Sequence, residues 1–333
     1  MQTSRKLTHA LAALFALVMM SVAALAADPG SAYPATSEIS DQKAGSILVY
    51  NYYSSPAAPT PNHNTRINIT NTSSTSPVIV HLFFVAENCS IADFKLPMSQ
   101  NLTYTFNVSE FDPNINGYLV AVATDGDTGL PRSHNFLIGD LYVKLPTGAS
   151  ANLAAEAIAA TYQGVLDQSA ELTGAVLRFG TDGTARYNRL PAVLAVDNIP
   201  SRADQNSTTL ILNRIEGSLA ELMSSVPRLF TLVYDDQEVS YSASLNAGNC
   251  QKRVELSDTE PRTAPRFTSI IPAGRSGWMR IYSTAGNVAL LGSVINFNPN
   301  TASRGDVFNG GHNLHKLAFT TGTISVTVPV FPF

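Results

Sequence analysis

"NTRINITNTSSTSPVIVHLFFV", residues Asn64 to Val85, holds two strand-length runs on either side of a polar turn. Ile67 and Ile69 alternate with Asn68 and Thr70, a period of two that sends neighbouring side chains to opposite faces of a sheet. "PVIVHLFFV", from Pro77, is β-branched and aromatic. Outward from this pair the pattern continues. "SILVYNYY" begins at Ser46, "LTYTFNV" at Leu102, "GYLVAVA" at Gly117 and "HNFLIGDLYVKL" at His134. Asn, Gly, Asp and Pro punctuate these runs, as expected of an antiparallel β-sandwich.

The second half repeats the order. "PAVLAVDN" from Pro191, "TTLILNR" from Thr208, "LFTLVYDD" from Leu229 and "GWMRIYS" from Gly277 echo the first, second, third and later strands. Cys89 and Cys250 are 161 residues apart, as are Asn135-Phe136 and Asn296-Phe297, and Asn152-Leu153 and Asn313-Leu314. These offsets predict an internal duplication. The expected fold is therefore mainly all-β, with two tandem antiparallel β-sandwich domains, 45–182 and 183–333. The Ala-, Leu- and Glu-rich stretch between the halves predicts a short helix over 152–163.

The N-terminus reads as a signal peptide, residues 1–26. Arg5 and Lys6 precede the apolar run Leu11–Leu25, and Ala24-Leu25-Ala26 supplies a small-x-small cleavage pattern before Ala27. A flexible Pro/Ser/Ala-rich leader follows, 27–44. Losing Arg5 and Lys6 takes the formal charge from −4 to −6. With no basic cluster, nucleic acid is not an expected partner. No later run is apolar and long enough for a transmembrane helix. The expected location is extracellular or periplasmic.

Together, "NTRINITNTSSTSPVIVHLFFV", "GYLVAVATD", "HNFLIGD", "GGHNLHKL" and the terminal "ISVTVPVFPF" resemble a functionally uncharacterised group of exported bacterial proteins with tandem β-rich, Ig-like sandwich domains. The resemblance covers most of the mature chain. It implies secretion and a sandwich fold, and brings no catalytic residues to carry over.

Candidate chemistry is sparse. Export would place Cys89 and Cys250 where thiols usually pair. A bridge requires their Cα atoms to come within about 7 Å, and the reading favours unpaired thiols over a disulfide. His312 and His315 follow Gly310-Gly311 and are three apart, a spacing that serves a metal on a helical turn. The 161-residue offset sets them opposite Ala151 and Ala154, so a surface loop is the expectation. Asp125 and Asp127 in "TDGDTG" have calcium-loop spacing, but Gly129 takes the third ligand position, and a hairpin turn is expected instead. There is no GxSxG, HExxH, phosphate loop or dinucleotide fingerprint, so no cofactor is implied. Tyr50, Tyr52, Tyr53 and Trp278 are candidates for sugar stacking, though alternation puts Tyr50 and Tyr52 on one face, which is more often core or interdomain contact. The tail "TISVTVPVFPF" is read as an edge strand open to β-augmentation. The resulting expectation is a non-catalytic structural or binding protein that self-associates or binds a surface polymer or protein. A carbohydrate-binding or adhesive protein is the alternative, and a secreted hydrolase with a dispersed site comes third.

Overall fold

The two runs of the opening stretch are strands β2 and β3 in a computed structural model that describes residues 34, 37–166, 174–300 and 309–333. The predicted signal peptide and the start of the leader lie outside these residues. The first half contributes β1 (Ile47–Ser54), β2 (Asn64–Asn71), β3 (Val78–Ala86), β4 (Ile91–Met98), β5 (Thr103–Asn107), β6 (Asn116–Thr124), β7 (Leu137–Lys144), β8 (Ser150–Ala154), β9 (Glu156–Ile158) and β10 (Gly174–Phe179). The second contributes β11 (Pro191–Pro200), β12 (Ser207–Arg214), β13 (Gly217–Ser218), β14 (Leu229–Tyr234), β15 (Ser240–Leu245), β16 (Gln251–Glu255), β17 (Ser276–Tyr282), β18 (Leu290–Phe297), β19 (Gly310–Asn313), β20 (His315–Phe319) and β21 (Ile324–Pro329). One short α-helix, α1 (Phe267–Ile270), appears among the described residues, with two 3-10 turns at Val108–Glu110 and Arg202–Asp204. The fold is all-β in the main, as the alternation requires.

Each half builds two facing antiparallel sheets. In the first, the order β4-β3-β6-β1-β9 lies over β5-β2-β7-β8; in the second, β15-β14-β17-β11-β20 lies over β16-β12-β18-β19. The strand succession is the same in both. Even an irregularity recurs: β1 slips against β6 between Tyr50 and Tyr53, and β11 slips against β17 between Val196 and Ile199. In each case the partner beyond the slip is glycine, Gly117 or Gly277.

A third sheet, β10-β21-β13, joins the halves. Its inner face, with Ala175, Leu177, Phe179, Ile324, Val326 and Val328, packs on Val49, Phe83, Val85, Val120 and Val122 from the outer side of the first sandwich. That layer explains why β1 is buried at all eight positions, Asn51 and Ser54 included: it is covered on both faces. A core under one cover would have shown alternation. The described residues from 37 onward accordingly fall in one compact unit.

Several expectations need correction. Residues 152–163 hold no helix; β8 and β9 occupy Ser150–Ala154 and Glu156–Ile158. Ala151, Leu153, Ala155 and Ala157 are all buried, so small alternating side chains admit close packing that outweighs their helix propensity. The 161-residue offset does not relate the halves either. Ladder register sets Gly139 against Gly292, each accepting from the backbone N–H of Ala155 or Leu314, so Leu314 corresponds to Ala155 and not to Leu153. Cys89 lies between β3 and β4, whereas Cys250 lies between β15 and β16, so their positions are not equivalent. They are nonetheless joined in a disulfide, with Cα atoms 5.1 Å apart, in place of the unpaired thiols expected.

The tail is not an open edge. β21 is the central strand of its sheet, antiparallel to β10 over Ile324–Pro329 and parallel to β13. β10 pairs one of its edges along the whole strand, and β13 pairs the other over Val326–Thr327. No helix among the described residues is long and apolar enough to cross a membrane, which says nothing of membrane-spanning strands.

Candidate metal centre

His312 and His315 sit at a corner. β19 pairs with β18, setting His312 opposite Val294; β20 pairs with β11, setting His315 opposite Ala195. Between them the chain leaves one sheet of the second sandwich for the other, and Leu314, 2% exposed, anchors the crossing in the core. Asp197 lies two residues beyond Ala195, inside the slip of β11. That extra backbone turns the carboxylate toward the corner instead of into the ladder.

The three side chains converge. His312 Nε2 is 3.1 Å and His315 Nε2 is 3.2 Å from the same atom, Asp197 Oδ1. The imidazole centroids are 5.9 Å apart at 41°. All three donor atoms lie within 4.8 Å of one another. His312 Nδ1 donates to the carbonyl oxygen of Asn313 at 2.9 Å, since that oxygen can only accept. His312 Nε2 is buried and makes no aligned hydrogen bond, although Asp197 Oδ1 lies 3.1 Å away. The expectation of a plain surface loop missed this convergence because Asp197 is over a hundred residues away in sequence. The bulge that aims it has no signature beyond "DN" in "AVDNIP".

The other candidates resolve differently. Asp125 Oδ1 accepts from the backbone N–H of Thr128 at 3.0 Å and from its hydroxyl at 2.8 Å, closing a hairpin turn. These bonds hold its carboxyl below the usual range. Asp127 is exposed on the same turn. Tyr50, Tyr52 and Tyr53 are fully buried. Tyr50 donates to Asn68 O, and Tyr52 Oη accepts from Arg253 of the second half at 2.9 Å. They are core and seam, not a sugar platform. Trp278 is partly exposed and stacks on Tyr234 at 4.3 Å and 4°. Ser54 Oγ and His63 Nε2 are 2.7 Å apart, the nearest approach to a nucleophile and base among the described residues, but Ser54 is 2% exposed.

A second polar cluster lines the seam. Asn51 Nδ2 donates to Gly292 O and Asn313 Oδ1, each at 3.0 Å. Asn213 and Gln251 both donate to Asn51 O, and Asn313 donates to Ala154 O at 2.7 Å. Nearby, Lys316 Nζ and Glu156 Oε2 are 2.8 Å apart with Glu156 only 1% exposed. Burial pushes the Glu156 carboxyl up to about 7, against the pull of the Lys316 ammonium.

No family model matches the chain, and no curated protein matches it. Among solved structures, a cryo-EM structure of Broad Bean Stain Virus overlaps 92% of this chain and 96% of its own, at 8% identity and a TM-score of 0.15. A likeness that low carries no argument about fold or function.

Proposed function

We propose that this chain is exported and works outside the cytoplasm as a non-catalytic structural or binding protein, built of two duplicated β-sandwich modules fused into one body. The observation that carries the reading is the Cys89–Cys250 disulfide, which ties the two halves together. Such bonds persist in oxidising compartments and are rare in the reducing cytosol. The apolar leader before Ala27 points the same way, and the shared strand succession supports duplication. In its native host, the chain recovered outside the cytoplasm should begin near Ala27 and resist alkylation until reduced. Recovery of a full-length, doubly alkylated chain from the cytoplasm would overturn the reading.

Carbohydrate binding is a second reading, favoured by a groove on the first sandwich. Pro59, Pro61, Asn64, Arg66, Tyr142 and Lys144 line it, and Tyr142 is partly exposed there. Amide and basic donors beside an aromatic face suit a sugar ring. Retention on polysaccharide that Tyr142→Ala abolishes would favour this reading; equal elution of both chains from such a column would exclude it.

A further inference from the structure

We propose that Asp197, His312 and His315 bind one divalent first-row transition ion of the zinc class, leaving part of its coordination sphere open to solvent or to a further ligand. The inference stands on local geometry and holds wherever the chain resides.

The first support is distance. Zinc binds imidazole nitrogen and carboxylate oxygen at about 2.0–2.2 Å, so donors sharing one ion at ordinary angles lie about 3–3.4 Å apart. The two Nε2–Oδ1 separations, 3.1 and 3.2 Å, fall inside that interval. The second is the state of His312. Its Nδ1–H is committed to the Asn313 carbonyl, the orientation that backbone acceptors impose on metal-bound imidazoles. Its Nε2 is buried and makes no aligned hydrogen bond, although Asp197 Oδ1 lies 3.1 Å away, so that nitrogen is left for a ligand seated beside the carboxylate. A divalent cation held by both atoms is such a ligand. The third is the setting. His312 rests on a ladder against β18, Leu314 is locked in the core, and Asp197 is held by the β11 slip, so two of the three ligands are placed before any ion arrives.

The ligand set narrows the ion. Two imidazoles and one carboxylate suit zinc, copper, nickel or ferrous iron better than calcium or magnesium, which take oxygen ligands. Three protein ligands are one short of the four found in closed structural zinc sites. The side chains are 37%, 59% and 55% exposed for His312, His315 and Asp197, so water or another molecule can reach the open position. The site belongs to the second half alone. Ladder register sets Asn51, Leu153 and Glu156 at the matching places of the first half. There Asn51 is buried in the seam network and Glu156 is paired to Lys316.

The test uses the mature, untagged chain, stripped with chelator and titrated with zinc chloride by calorimetry near neutral pH. The expected result is a saturable isotherm at one ion per chain. His312→Ala with His315→Ala should weaken binding by about 100-fold or more, and Asp197→Asn by about tenfold or more. Zinc should shift the imidazole nitrogen resonances of His312 and His315 while leaving those of His63, His81 and His134 in place. The single variant His315→Ala, altering the most exposed of the three side chains, keeps the test sound if the double variant misfolds. Zinc binding by His315→Ala equal to that of the parent would overturn the proposal. So would the absence of a one-to-one isotherm at submillimolar zinc. Either failure leaves the export and module reading standing, because that rests on the N-terminus and the disulfide.

Discussion

Asn51 shows how much a single side chain does at the seam. Its side-chain amide donates to Gly292 and Asn313 and its main-chain carbonyl accepts from Asn213 and Gln251, all from the second half, and the residue is 1% exposed. Buried amides left without partners cost about 1–3 kcal/mol each. Asn51→Leu strips donors from Gly292 O and Asn313 Oδ1 at once, so it should lower stability by roughly 2–4 kcal/mol in urea melts. A change within about 0.5 kcal/mol would mean that water replaces the amide. Glu156 provides a pH signature. Its carboxyl ordinarily titrates at 4.5 and does so at about 7 in the fold, so the folded chain binds that proton more tightly than the unfolded one. Its contribution is therefore fully present below pH 4.5 and is lost as pH rises through about 7, on the order of 3 kcal/mol. Buried His134, held near 4 by desolvation, works in the opposite sense, so the comparison must be against Glu156→Gln. Parent minus variant stability should fall across pH 4.5–7 and then level; a flat difference would sink this assignment.

At the scale of elements, the C-terminal strand and its short extension hold the third layer. After β21, Lys95 Nζ donates to Pro332 O at 2.9 Å, and the Phe333 N–H donates to Gly126 O at 2.9 Å. The tail thus docks on the Asp125–Gly129 turn. Gly129 has φ +73°, and a Cβ there would lie 2.1 Å from Phe331 O. Gly129→Ala should release the last residues while leaving β21 in place, seen as faster carboxypeptidase trimming with a thermal midpoint nearly unchanged. Trimming at the parent rate would show that the tail is not held there. The strands themselves were legible, because alternation in "TRINITN" and density of Val, Ile and Phe in β3 leave few other solutions. Residues 152–163 read as a helix in sequence because Ala fills close-packed strands as readily as helices, and only the neighbouring sheet decides. The paired role of β21 was illegible for a related reason. Two prolines suggested an edge, but Pro329 sits at the last rung and Pro332 lies beyond it, so neither interrupts the ladder. For the metal candidate the sequence offered the two imidazoles and hid the carboxylate.

At the scale of the molecule, the question is whether the halves are domains in the thermodynamic sense. The sequence expectation drew a boundary at 182/183, and β10 falls just before it while its antiparallel partner β21 lies at the far end of the second half. Cutting there strips β10 of its only named ladder partner and uncovers the outer face of β1, β3 and β6. Ile211 and Ile295 also belong to the core of the first sandwich. Shared cores couple the halves, so unfolding of one exposes apolar surface of the other and the two should melt together. The disulfide adds to this coupling. Its closed loop of 161 residues gives about 2–5 kcal/mol on chain-entropy grounds. The intact oxidised chain should show one calorimetric transition, with equal van't Hoff and calorimetric enthalpies, and Cys89→Ala with Cys250→Ala should lower its midpoint without splitting it. Residues 37–182 expressed alone should fail to unfold cooperatively. If instead that fragment melts sharply by itself, the seam joins two independent folds and the third sheet is a clasp between them.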